Sequence, residues 1–129
     1  MIKIYLFAFF ILFISSVEAE NEAYYQDICA KILNGKTEVV MSDKTRVDIL
    51  TEGVAFEVDW AYKAYEGIGQ CLYYSAKTGL HAGLILIVKD PVKDQKYIDR
   101  VRLLIRIKSI KINLYVIDIK SKELRLIEK

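Results

Sequence analysis

Residues 46–59, RVDILTEGVAFEVD, constrain this chain more than any other stretch. Two β-rich runs flank Glu52-Gly53, and a two-residue loop of that kind fixes the register of a hairpin, because glycine tolerates the positive φ such turns require. Counting outward, Thr51 opposes Val54, Leu50 opposes Ala55, Ile49 opposes Phe56, Asp48 opposes Glu57, Val47 opposes Val58 and Arg46 opposes Asp59. Side chains alternate between the faces of a strand. Val47, Ile49, Phe56, Val58 and Trp60 are therefore expected on one face, and Arg46, Asp48, Leu50, Ala55, Glu57 and Asp59 on the other. Like charges directly opposite each other destabilise a sheet. The Asp48/Glu57 pair needs a bound cation, a shared proton or full solvent exposure, and Arg46 stands where it would neutralise Asp59.

The rest of the chain supplies a frame for that hairpin. NEAYYQDICAKILN (21–34) spaces Tyr25, Ile28, Cys29, Ile32 and Leu33 as on a helix, with Gly35 as its stop. TEVVM (37–41), TRVDILT (45–51) and VAFEVDW (54–60) read as an antiparallel meander. Residues 61–78 read as a second helix ending at Gly79. AGLILIV (82–88) is a continuous apolar run of the kind found in strands covered on both faces. Asp90-Pro91 opens a third helix, to about Ser109, and INLYVID (112–118) is a last strand. The expected class is α/β, a mixed sheet flanked by helices in the order αβββαβαβ.

The start, MIKIYLFAFFILFISSVEAE, has a Lys3 n-region, an apolar run and small residues before Ala19, the pattern of a signal peptide. Its apolar run, Ile4 to Ile14, is shorter than the ~20 residues of a spanning helix. The expectation is a leader over 1–19, a single domain over 20–129, export to the periplasm or medium, and no stable membrane span after cleavage. The net charge of +2 is unchanged by that cleavage, which removes Lys3 and Glu18, and it neither demands nor excludes a nucleic-acid partner. Export would permit a Cys29–Cys71 disulfide; the other reading is two buried thiols. A thiol-and-histidine metal site is excluded by the absence of CxxC and by a single histidine, His81.

Positions 63, 67, 70 and 74 share a helix face and hold Lys63, Gly67, Gln70 and Tyr74 directly after the acidic strand. Gly67 and Gly69, each costing about 1 kcal/mol in a helix interior, suggest close backbone approach. With these residues the chain resembles the PD-(D/E)XK nuclease superfamily, restriction endonuclease-like proteins that include Holliday-junction resolvases and RecB-type exonucleases. Asp48 matches the motif aspartate, Glu57 the glutamate of E-x-K, and Gln70 with Tyr74 the QxxxY of the RecB-type branch. The chain departs from the pattern at Asp59, where the family has lysine, and Lys63 is the substitute cation.

The resemblance implies a restriction endonuclease-like core and a Mg²⁺-dependent (or Mn²⁺-dependent) nuclease acting on DNA. Asp48, Glu57, Lys63 and Gln70 would be catalytic. The metal would be held by Asp48, Glu57, the Val58 carbonyl and, from the first helix, Glu22; Asp59, Arg46 and Tyr74 would support the site. The alternative is a module that keeps this fold without catalysis and binds nucleic acid or a protein. The cationic third helix, with Lys93, Lys96, Arg100, Arg102, Arg106 and Lys108, reads either as a phosphate track or as an ordinary solvated face.

Overall fold

A computed structural model describes residues 22–129; the leader read from residues 1–19 lies outside them. A first helix, α1, covers residues 22–33. The meander follows as β1 (Lys36–Val40), β2 (Arg46–Leu50) and β3 (Val54–Trp60). A 3₁₀ turn, Ala61–Lys63, leads into α2 (Ala64–Thr78). Then come β4 (His81–Val88), α3 (Pro91–Lys108), β5 (Ile112–Asp118) and β6 (Leu124–Glu128).

The strands form one six-stranded sheet in the order β1-β2-β3-β4-β5-β6. Its first three strands are antiparallel, β3, β4 and β5 run parallel, and β6 returns antiparallel. The order therefore exceeds the expected αβββαβαβ by one strand. LRLIE alternates weakly and is half-exposed at the sheet edge, so its hydrophobic pattern carries little of the signal that marks a covered strand.

β4 explains why the sheet is covered on both sides. Ala82, Leu84, Leu86 and Val88 enter one core with Ala64, Ile68 and Cys71 of α2, Ile98 and Val101 of α3, and Leu114 and Val116 of β5. Ile85 and Ile87 enter the opposite core, with Cys29 and Ala30 of α1 and with Ile49, Phe56, Val58 and Trp60. α1 thus covers one face, and α2 and α3 the other. This layering favours the second of the two cysteine readings: Cys29 and Cys71 are free thiols in cores on opposite sides of the sheet, and burial pushes both thiols up to about 12.

Two local devices set the helices against the sheet. A Cβ at Gly67 would stand 2.7 Å from Leu84 Cδ1 and 3.7 Å from Asp59 Cβ, so glycine lets α2 lie directly on β3 and β4. Gly69 has nothing within 4 Å of such a Cβ; it faces away, and the close-approach reason holds for Gly67 alone. Asp90 caps α3, accepting from the amides of Val92 and Lys93 at 3.0 and 3.1 Å, with Pro91 at the first helical position, where a missing N–H costs nothing. Among the described residues no helix is long and apolar enough to cross a membrane.

Candidate functional site

The hairpin register agrees with the expected count where β2 and β3 pair: Leu50 opposes Ala55 and Ile49 opposes Phe56. In an antiparallel ladder, hydrogen-bonded pairs alternate with non-bonded ones. The Thr51 amide donates to the Val54 carbonyl at 3.0 Å, so a regular ladder would next bond Ile49 with Phe56 and then Val47 with Val58. At that third step it stops. The Val58 amide donates instead to Oδ2 of Asp48 at 2.8 Å, a side-chain acceptor standing in for the Val47 carbonyl.

The break moves Val47 from its expected face. It packs with Ala55 and Tyr74 on the α2 side, while Ile49 stays on the α1 side with Phe56. Across from Asp48, β1 has its own irregularity at Glu38, whose φ of 53° lies in the left-handed region. Beyond these two residues β2 and β3 part, and a cleft of about 770 Å³ opens. Its walls carry Glu22 and Gln26 of α1, Glu38, Thr45, Arg46 and Asp48 of the first hairpin, Trp60, Tyr62 and Lys63 at the end of β3, and Tyr74.

Asp48 lines this cleft, and two further carboxylates, Glu57 and Asp59, lie buried on β3 without lining it. Glu57 and Asp59 are each only 5% exposed, and Glu57 Oε2 is a buried oxygen with no hydrogen-bond partner. Burial first, and the adjacent Asp48 charge second, push the Glu57 carboxyl far above the ordinary carboxylate range. Burial also raises Asp48, against the pull of the Val58 amide. Asp59 is pushed up to about 7 by burial and then by the Glu22 charge, with Lys63 drawing it back down. Of the three origins offered for an Asp48/Glu57 pair, full solvent exposure is ruled out. A shared proton and a bound cation both fit acids held so far from water.

The remaining expected residues separate into those at the cleft and those beside it. Lys63 lines the cleft, from the end of the 3₁₀ turn rather than from α2 itself. Tyr74 is buried, with its hydroxyl donating to Gln70 Oε1 at 3.3 Å; Gln70 is exposed and reaches the site only through that tyrosine. Arg46 is corrected: its ion pair is with Glu38, at 3.6 Å, because the hairpin has parted before Arg46 could oppose Asp59. Among the described residues no three His, Cys, Asp or Glu side chains are gathered as a ready metal cage. On α3, Arg102 and Arg106 meet Glu128 of β6 at 3.3 and 3.1 Å, which makes them part of the sheet's edge.

Gln26, Glu38, Trp60 and Tyr62 were not anticipated as site residues. Gln26 Nε2 donates to Glu38 Oε1 at 2.8 Å and to the Asp48 carbonyl at 3.2 Å, so α1 holds the two irregular strands together. Its helical spacing from Glu22, four residues, was the available signal. The turn between β1 and β2 is held to α2 by the Tyr73 hydroxyl, which donates to Asp43. Comparison with protein-family models, with curated proteins and with solved structures gives no match.

Proposed function

We propose that this chain is a metal-dependent phosphodiesterase acting on DNA, built on a restriction endonuclease-like core and exported. The observation that carries the reading is the pair of half-buried Asp48 and buried Glu57 at the split hairpin, with Glu57 Oε2 lacking a partner. Uncompensated acids in such a place are costly, and a divalent cation is the ligand that would turn the cost into binding energy. Mg²⁺ prefers oxygen ligands and keeps several waters, so it needs few protein groups. Asp48, Glu57 and the Val58 carbonyl would hold it, the carbonyl pointing to the same side of β3 as the Val58 amide that reaches Asp48. Glu22, on the cleft wall, is a further candidate. When bound, Mg²⁺ or Mn²⁺ supplies an acidified water and neutralises phosphate charge.

The chain's own residues supply the rest. Lys63 would stabilise negative charge developing on the phosphate, from the position where it already tempers Asp59. Tyr74 would fix the Glu57 side of the pocket, with Gln70 positioning its hydroxyl. Asp59, in the place of the family lysine, caps the Trp60 amide at 3.0 Å. That structural use favours a second reading, a module of the same fold that binds nucleic acid or a protein without cutting.

Cleavage of linear, circular and single-stranded DNA, measured with Mg²⁺, Mn²⁺ or EDTA, separates the two. The phosphodiesterase reading expects metal-dependent cleavage that disappears in Glu57→Gln and falls at least about a hundredfold in Lys63→Ala, the range for one charge-stabilising group. Metal-independent DNA binding with no turnover selects the binding module. Export is tested separately, by finding the processed chain outside the cytoplasm.

A further inference from the structure

The wall beside the carboxylates carries a different chemistry. β3 ends at Trp60, 3% exposed and held edge-to-face by Tyr25, with centroids 6.2 Å apart and an interplanar angle of 73°. Two residues on, Tyr62 is 48% exposed. Lys89, which follows β4, places Nζ 4.3 Å from the Trp60 centroid and 5.9 Å from that of Tyr62. Lys63 Nζ lies 5.8 Å from the Tyr62 centroid. The parallel pairing of β3 with β4, Trp60 opposite Ile87, brings both strand ends to this one place.

Two ammonium groups around an exposed aromatic ring match a strand that offers phosphates and an unpaired base together: the cations meet the backbone and the ring stacks the base. Depth points the same way. Glu57 and Asp59 lie at 5% exposure, so a phosphate reaching them must descend below the surface. An unpaired strand is flexible enough to bend a phosphate into such a recess, which the stiff backbone of a duplex resists. A cleft of about 770 Å³ falls in the size range of small-molecule sites, room for one or two nucleotides and not for a paired helix.

We propose that the cleft takes an unpaired segment of nucleic acid, a single strand or a frayed end, with one base stacked on Tyr62 and the flanking phosphates on Lys63 and Lys89. Recognition is tolerant of sequence, since every base has a π face. The proposal deepens the phosphodiesterase reading and rests on it for the role of the carboxylates; the binding platform is tested without catalysis.

The test is fluorescence anisotropy of a short labelled oligothymidylate and of a blunt hairpin of equal length, in EDTA. The oligothymidylate binds more tightly than the hairpin. Tyr62→Ala weakens it by about tenfold, within the range for losing one stacked base, and Tyr62→Phe restores binding. Lys89→Gln lowers the log–log salt slope by about 0.7, the value for one single-strand phosphate contact. Equal affinity for strand and hairpin, or unchanged binding in Tyr62→Ala, overturns the proposal. Cleavage of duplex with Tyr62→Ala fully active overturns it while leaving the phosphodiesterase standing. Tight strand binding that depends on Tyr62, with no cleavage in Mg²⁺ or Mn²⁺, supports the platform and overturns the phosphodiesterase instead.

Discussion

The Val58 amide is bonded to the Asp48 side chain, 2.8 Å from Oδ2, at the point where a regular hairpin would bond it to the Val47 carbonyl. One carboxylate oxygen is thereby committed to the fold, and Asp48 has a structural and a chemical task that substitutions can separate. Asp48→Asn keeps an acceptor for the amide and removes the charge. It is expected to fold with undiminished stability and to lose metal-dependent cleavage. Asp48→Ala leaves a buried donor unmet and costs about 1–3 kcal/mol, read from urea unfolding midpoints.

Without metal the acids make stability fall as pH rises. Asp59 is raised from 3.8 to about 7, and Asp48 and Glu57 are also raised. Between about pH 4 and pH 7 the folded protein holds protons that the unfolded chain has released, so stability drops through that window, by up to about 1.4 kcal/mol per pH unit for each such group. It is fully present below pH 4. Urea midpoints measured across the window in EDTA should show the decline, and Glu57→Gln should make it shallower, with the Asp59 contribution remaining.

Added Mg²⁺ should reverse that loss. Binding needs deprotonated carboxylates, so the rise in Tm on adding Mg²⁺ is expected to be larger above pH 7 than near pH 5. At a hundred times Kd the gain is about 2.7 kcal/mol. Equal Mg²⁺ effects at both pH values, or none, would remove the Asp48/Glu57 site as the origin.

The two helix glycines should respond with opposite signs. Gly67→Ala drives a methyl to 2.7 Å from Leu84 Cδ1 and is expected to destabilise by about 1–3 kcal/mol, the usual cost of overpacking. Gly69→Ala meets open space and should stabilise by up to about 1 kcal/mol through helix propensity. Thermal melts of the two variants decide it.

Cys29 and Cys71 should react with a thiol reagent only on unfolding, since both are fully buried with thiols held up to about 12. Reductant should leave the Tm unchanged. A shift on reduction would require the sheet to be crossed, against the layering of the two cores.

The strands and helices were readable where periodicity reports burial. VAFEVDW and INLYVID have the bounds found for β3 and β5, and the Glu52-Gly53 turn carried the register as far as Ile49 and Phe56. What could not be read was the place where one side chain displaces a backbone acceptor. Alternation assumes a continuous ladder, so it placed Val47 with Ile49 and Arg46 opposite Asp59, both beyond the break at Asp48. The Asp48/Glu57 and Asp59/Lys63 neighbours were legible because these residues lie within one hairpin and the turn after it. Gln26 and Glu38 were not, because their contact spans 12 residues and depends on the left-handed backbone at Glu38, which a glutamate rarely adopts.

The kink at Glu38 reaches beyond the cleft. β1 lies at one end of the sheet, where an uninterrupted row of amides and carbonyls would invite strands from other molecules and seed aggregation. A left-handed residue in the middle of a five-residue strand spoils that row as a template, and the exposed Arg46–Glu38 pair adds charge beside it. The distortion beside the cleft also keeps this edge from recruiting its neighbours, so straightening β1 to regular geometry would cost solubility as well as the Gln26–Glu38 contact at the site.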